Sequence, residues 1–528
     1  MKYLDKLVIV VLIMALGLGG CTNEFNDVNT NPKTLSVDQL DQSSYGYVFR
    51  GALFSGVYFG NIMPFLRGHG GFSDMYANYT AHTHPDFFSD RFVMHGEWLN
   101  VFWDGFYGSV APKVKYAEDF AEENGLDIEN AMMKVYKVYV YHKITDFWGP
   151  IPYSSFGNGE FSVPYDTQED IYKDFFGELE EAVGILKSHS GEISFLGAQD
   201  VVFSGNVDQW LKLANTLRLR LALRVKYVEP ELARTQAEIA VADGVIEDNS
   251  DNSYVHSAIP FVNNYNRMTP WSDFRMSADM ESILKGYEDP RITDYFSPAD
   301  NPDPSDDPVG MTFDWEGIRN GQSKSDKQSL GLNTNSSNMG PAYMIVGDKG
   351  PDWPLLRAAE AYFLRAEGAL SGWNMGGSAE SLYQEAVTKS LSEYGYDGNN
   401  LSGEDFVTST NIPVGYDSAS SAVSSVPVRF DAGGSEERQL EQIITQKWIA
   451  LFPDSEEAWA ERRRTGYPTL YNRLESDNPG ISIDEIPSRV PYVGNEYNNN
   501  RDAVEEAANS LLGGPDNAVT KLWWDAKD

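Results

Sequence analysis

The 528-residue chain holds one cysteine, Cys21, and seven histidines. A single thiol cannot close an internal disulfide or build a thiolate metal site, and cysteine catalysis would have to use Cys21 itself. Positive charge is scarce: 41 Lys and Arg stand against 78 Asp and Glu, a net charge of −37. Such a surface repels phosphate backbones, so nucleic-acid binding is excluded and electrostatic attachment to anionic membranes is disfavoured. The acidity reads as solubility in an extracytoplasmic medium. After residue 18 no apolar run approaches transmembrane length. Catalytic signatures are missing too: there is no H-E-x-x-H, G-x-x-x-x-G-K-[ST] or G-x-S-x-G, and no dinucleotide G-x-G-x-x-G after a strand. What the chain has in quantity is aromatic surface, with 12 Trp, 29 Tyr and 27 Phe. That load exceeds the needs of a helical core and points to rings that face a ligand.

The one cysteine has a telling position. Lys2 and Lys6 precede an apolar run over residues 7–18, which ends in Leu18-Gly19-Gly20-Cys21. The run has signal-peptide length and is short for a permanent membrane helix. Small residues before a cysteine at that point resemble a bacterial lipobox, in which the thiol is acylated and becomes the new N-terminus. We therefore expect a lipoprotein signal peptide over 1–20, lipidation at Cys21 and a polar tether over 21–40, broken by Pro32.

From about residue 41 onward helical patterns recur without a clean linker, which predicts a single α-helical domain over 41–528. The predicted helices pair as 94–123 with 128–147, 167–188 with 206–228, 354–370 with 379–394, and 435–452 with 455–466. Thr167 and Asn206 are positioned as N-caps, and Arg462, Arg463 and Arg464 precede Gly466 as a helix end should. Ala379, Tyr383 and Ala386 carry the small–aromatic–small spacing of a tetratricopeptide second helix. The expected fold is mainly α, with tetratricopeptide-like helix pairs as scaffold, long irregular loops and a few short β-hairpins. The main excursions are 67–91, 150–164, 249–271, 295–354 and 401–434; binding usually lives in such loops.

Other candidate chemistry is weak. His82 and His84 read as two exposed loop histidines, and residues 300–307 (DNPDPSDD) as a solvated acidic loop without EF-hand spacing, so no metal and no cofactor is expected. Arg218, Arg220 and Arg224 share a helix, with Glu360 and Glu367 as plausible partners in a buried network. Trp148-Gly149-Pro150 reads as a helix stop.

Several stretches resemble the SusD/RagB-like outer-membrane lipoproteins of Bacteroidetes. They are the lipobox with Asn29-Thr30-Asn31-Pro32, Thr145-Asp146-Phe147-Trp148-Gly149-Pro150-Ile151-Pro152-Tyr153, and Pro164-Tyr165-Asp166-Thr167-Gln168-Glu169. Trp210-Leu211-Lys212-Leu213-Ala214-Asn215-Thr216-Leu217-Arg218-Leu219-Arg220, Asp289-Pro290-Arg291 and Leu356-Arg357-Ala358-Ala359-Glu360-Ala361 continue the match. So do Gln446-Lys447-Trp448, Arg462-Arg463-Arg464-Thr465-Gly466-Tyr467-Pro468, Arg489-Val490-Pro491-Tyr492 and Trp523-Trp524-Asp525. Their order is most like the branch called SusD-like type 2. The resemblance implies a non-enzymatic, lipid-anchored protein on the outer face of the outer membrane. It would bind an oligosaccharide, or in some members a peptide, and cap a SusC-like TonB-dependent transporter. The rival readings are a scaffold lipoprotein and an all-helical glycoside hydrolase of the outer surface.

Sugars stack their C–H faces on flat rings and need Asn, Asp or Arg beside them. Two stretches reaching through these excursions carry that mixture: residues 72–98, with Tyr76, Asn78, Tyr79 and Trp98, and residues 254–275, with Asn263, Asn264, Tyr265, Arg267 and Trp271. Trp315 in a third loop is expected to join them.

Overall fold

The computed structural model describes residues 42–527, apart from Gly60, Phe161, Asp306, 308–311 and 345–346. The expected signal peptide over 1–20, the acylation site Cys21 and the tether over 21–40 lie outside the described residues. The chain divides into a unit Met1–Tyr47 and a unit Val48–Asp528; apart from the start of the first helix, everything that follows concerns the second.

Helices of ten residues or more are numbered here in chain order: α1 Gln42–Tyr58, α2 Gly96–Gly105, α3 Ala111–Glu123, α4 Asp127–Trp148, α5 Gln168–Ser188 and α6 Val207–Arg224. There follow α7 Pro230–Asp243, α8 Ala278–Tyr287, α9 Ala358–Leu370, α10 Ala379–Glu393, α11 Glu436–Leu451 and α12 Ser455–Thr465. Local chemistry explains their ends. Thr167 accepts from the backbone N–H of Asp170 and Asn206 from that of Gln209, so both expected caps are made. At α12 the cap is Asp454, which accepts from the backbone N–H of Glu457, and Gly466 stops the helix in a left-handed conformation (φ 83°) behind its three arginines. Gly149, at φ 88°, ends α4.

Successive helices pack side by side: α3 on α4, α4 on α5, α5 on α6, α6 on α7, and α9 on α10. Helix α7 was not anticipated. Its buried stripe is Ala233, Ala237 and Ala240 behind Pro230, too small a stripe to stand out in hydropathy. In the α9–α10 pair Tyr383 meets Phe363 edge-on at 6.1 Å and Ala386 is buried between the helices, as the tetratricopeptide spacing predicts.

Buried ion pairs hold the helices to one another. Arg220 on α6 grips Glu360 on α9 through two bonds of 2.7 and 2.6 Å. Arg224 turns instead to Glu457 on α12 at 2.6 Å. Glu367, the other acid expected to face α6, takes Arg464 at 2.7 and 2.6 Å, and the same guanidinium binds Glu461. Arg218 donates to Gln236 of α7 at 2.5 Å. Burial opposes ionisation of Glu461, but Arg464 and Lys447 hold its carboxyl well below the usual range.

The strands are short and non-local. β1 (Thr80–His82) pairs antiparallel with β3 (Phe274–Met276), and β2 (Tyr254–Val255) with β4 (Trp353–Pro354). These ladders join excursions far apart in sequence; a single bridge such as Ala258–Phe261 closes a tight turn of the hairpin kind. Leu66–Ser73 is a π-helical stretch between two short α-helical turns, Ile62–Phe65 and Asp74–Tyr76.

Candidate functional site

The two excursions picked for their aromatics fold against each other. β1 sits in the first and β3 in the second, in the register Thr80 to Met276. The Tyr265 hydroxyl donates to Asp74 at 2.8 Å, and Asn78 donates to Asp279 of α8 at 2.8 Å. Glycine permits the contact: a Cβ on Gly70 would come within 2.7 Å of Met268 and 2.9 Å of Phe274.

Both excursions also pack on the scaffold, with Tyr76 against Trp459 of α12 and Tyr79 against Trp448 of α11, each at 5.1 Å, and most of the chosen residues are buried there. Tyr76, Tyr79 and Tyr265 are 0%, 1% and 4% exposed, and Asn78 and Asn263 are 1%. The Tyr79 hydroxyl donates to the Trp448 carbonyl at 2.6 Å, and Asn263 caps the short helix Asn264–Met268. Asn264 donates to the Tyr58 carbonyl at 3.1 Å. These rings and amides have no face left for a sugar, so their role in this structure is packing. Trp315 is half-buried, donates its indole N–H to the Phe296 carbonyl at 2.9 Å and leans on Phe313. His82, read as exposed, is fully buried in β1, where its Nε2 and the Gly70 carbonyl are 2.9 Å apart. Burial pushes its pKa well below the ordinary value, so it stays neutral. No cluster of three or more potential metal ligands occurs among the described residues.

The residues that remain at the surface form a ledge around Trp98, in the first turn of α2. The half-buried indole stacks with His95 at 4.7 Å and meets Phe87 edge-on at 5.1 Å. Phe88 stacks on the outer side of this group, 5.9 Å from His95, and His84 lies 4.6 Å from Phe87. All four of these neighbours are half-buried. Arg67, on the π-helical stretch, sets its guanidinium 4.1 Å from the Trp98 ring centre. It has no hydrogen-bond or ion-pair partner among the described residues, so its N–H donors are free. Gly71 lets the indole lie against the π-helical backbone: a Cβ there would approach Trp98 to 3.0 Å.

The loop that carries the ledge is nailed down from beneath. Lys327 reaches the Phe87 carbonyl at 2.8 Å and the buried Asp90 carboxylate at 2.8 Å. Arg91 bonds Asp477 and the Gln322 carbonyl at 2.7 and 2.8 Å, and Asn478 holds the Phe92 carbonyl at 3.1 Å. Trp271, 45% exposed, and the exposed Arg267 stand on the neighbouring turn. Thr83 ties that turn to the ledge by bonds to the carbonyls of Ser272 and Asp273 at 2.7 and 3.0 Å. The structure thus brings Trp98, Arg267 and Trp271 to adjoining segments. Arg67, Phe87, Phe88 and His95 escaped the sequence reading, and His84, read as an exposed loop histidine, is half-buried against Phe87; the Arg67-Gly68-His69-Gly70-Gly71 run was the one signal for a close-packed turn there.

Chemically the ledge offers flat apolar faces beside a free cationic donor, and it lacks a nucleophile–base pair. A ring that covers on the order of 75 Å² of apolar surface contributes roughly 2 kcal/mol at about 25 cal/mol per Å².

A family model described as SusD-like, Susd and RagB outer membrane lipoprotein, matches residues 27–525. A chitin-binding SusD homolog from Flavobacterium johnsoniae is 34% identical, with 92% of this chain and 99% of that chain covered and a TM-score of 0.82. A SusD homolog from Bacteroides vulgatus is 30% identical over 92% and 98% of the two chains, also at 0.82. One from Bacteroides thetaiotaomicron is 30% identical over 92% and 99%, at 0.79. No curated protein matches.

Proposed function

The chain belongs to the SusD-like family of SusD and RagB outer-membrane lipoproteins, and from that premise we propose that it is a cell-surface nutrient receptor. It binds an oligosaccharide on the Trp98 ledge and hands it, unchanged, to a SusC-like TonB-dependent transporter. Its anchor is an acyl group on Cys21, and no described helix is long and apolar enough to cross a membrane. The observation that carries this reading is the ledge itself, half-exposed rings beside an unpaired arginine. The chitin-binding relative, similar along nearly its whole length, supports a glycan as the ligand class.

The deciding experiment is a glycan and peptide array, chito-oligosaccharides included, probed with the protein and followed by calorimetry. Saturable, reversible binding of a glycan with no product formed supports the reading. Turnover of that glycan favours a hydrolase, and a protein partner without any glycan binding favours a scaffold. A pull-down in mild detergents should recover a TonB-dependent barrel in comparable amount. Cys21→Ala should abolish labelling with palmitate and release the protein from membranes.

A further inference from the structure

A cavity of about 280 Å³, none of whose lining residues belongs to the ledge, is lined by Tyr254, Tyr343, Tyr394, Asp294, Glu393 and Arg357. Tyr265 forms the link: its ring meets Phe65, beneath the π-helical stretch, at 5.1 Å and Tyr343 at 5.9 Å. The cavity floor is fixed. Arg357 donates to Glu393 at 3.2 Å, to the Phe452 carbonyl at 3.3 Å and to the Ala450 carbonyl. Tyr254 donates to the same Glu393 oxygen, Oε1, at 2.6 Å.

The cavity also holds hydrogen-bonding groups that the described residues leave unused. Tyr343 is 8% exposed, yet its hydroxyl has no partner among them. The Tyr394 hydroxyl has none either, nor does Glu393 Oε2. Asp294 accepts from Tyr396 through Oδ2 at 2.5 Å and keeps Oδ1 free. Neither phenol oxygen is sealed off from solvent, so both can bond an entering ligand.

The charge pattern selects the occupant. Asp294, Glu393 and Asp352 line the space and repel anions. Arg357 already supplies the positive charge opposite Glu393, and Asp352 is occupied by His256 at 2.7 Å, so a cation gains little. Two phenols that donate or accept, two free carboxylate oxygens that accept, and tyrosine faces beside them suit a neutral polyol with a C–H face. The volume lies near the lower end of ordinary small-molecule sites, about 300–1,000 Å³, which suits a single ring.

We propose that this cavity is a second carbohydrate subsite, distinct from the ledge, that takes one sugar ring between Tyr343 and Tyr394 with its hydroxyls on Asp294 and Glu393. The inference rests on the oligosaccharide reading of the ledge. Its test titrates the full mature protein, in a detergent without sugar headgroups, with N-acetylglucosamine, glucose and choline. Carbon-13 signals of labelled tyrosines, assigned through Tyr343→Phe and Tyr394→Phe, report on the cavity. Both signals should move saturably with at least one sugar and stay still with choline, in the parent and in Trp98→Ala alike. On the Trp98→Ala background, the double phenylalanine variant should bind that sugar about tenfold more weakly. Signals that ignore both sugars, or answer choline instead, overturn the subsite. If they ignore sugars while an oligosaccharide still binds and Trp98→Ala abolishes that binding, the ledge stands and the subsite alone falls.

Discussion

Arg464, beneath the helix pairs, and Arg67, on the ledge, both sit over aromatic rings, at 5.9 Å from Tyr227 and 4.1 Å from Trp98. There the likeness ends. Arg464 is fully buried and its donors are spent on Glu367 and Glu461. Arg67 is half-buried and has no polar partner among the described residues. The same side chain is a strut where every donor is matched and keeps donors open for a ligand where they are left over. Aromatics divide in the same way: Tyr76, Tyr79 and Tyr265 are sealed in and bonded, whereas Trp98, Phe88 and Trp271 keep solvent-facing area. Function in this molecule is to be sought among groups whose valences the fold leaves open.

Substitutions that treat both regions alike should separate them. Arg464→Ala takes the paired guanidinium bonds from two buried carboxylates, leaving Glu367 to Lys226 and Glu461 to Lys447, and should cost about 3–5 kcal/mol, read as a large fall in melting temperature or failure to fold. A parent-like melting temperature would mean that the network is slack.

Asp454 sharpens the scaffold side through pH. Burial opposes its ionisation, but Lys143 at 2.9 Å and Arg220 hold its carboxyl down at about 2. A carboxyl whose pKa is lower in the folded than in the unfolded chain stabilises above the unfolded value of 3.8, and that contribution fades as pH falls toward about 2. Asp454→Asn should cost on the order of 2 kcal/mol at neutral pH and lose melting temperature less steeply than the parent across that acid window. Parallel curves would assign the acid loss to other groups.

On the ledge the readout changes from stability to affinity. Trp98→Ala should weaken glycan binding tenfold or more, about 1.4 kcal/mol. Because the indole packs on Phe87 and His95, a melting temperature a few degrees lower is also expected. The smallest effects belong to Arg67→Ala and Trp271→Ala: binding a few-fold weaker by calorimetry, and stability within about 1 kcal/mol of the parent. If Arg67→Ala destabilised as much as Arg464→Ala, the contrast between the two arginines would collapse.

Much of the scaffold was legible because helix signals are local. Thr167, Asn206 and Gly466 announce helix ends by chemistry within a few residues, and the Tyr383 spacing by contacts within one helix pair. The partners of the arginines were half legible: Arg220 to Glu360 follows from two facing helices, while Arg224 to Glu457 needs a third that no periodicity reveals. The ledge was legible at Trp98 and Trp271 but not at Arg67 or Phe88. A ring in a Gly-rich excursion reads as exposed, and nothing local tells Tyr76 that Trp459 of α12 will cover it at 5.1 Å. Excursions that pair as β1 with β3 and pack on α11 and α12 are buried by residues far away in the chain, which no local pattern announces.

The bonds of Arg91 to Asp477 and of Asn478 to Phe92 carry one more implication, in the order of assembly. The α9–α10 hairpin closes a short loop and can form as soon as its own residues are present. The ledge is a high-contact-order structure: its rings lie between residues 84 and 98, but the clamps under them come from residues 322–327 and 477–478. A chain that ends short of those last clamps would keep its helical hairpins and lose a fixed binding surface. The ledge therefore becomes a fixed surface only once almost the whole polypeptide is in hand.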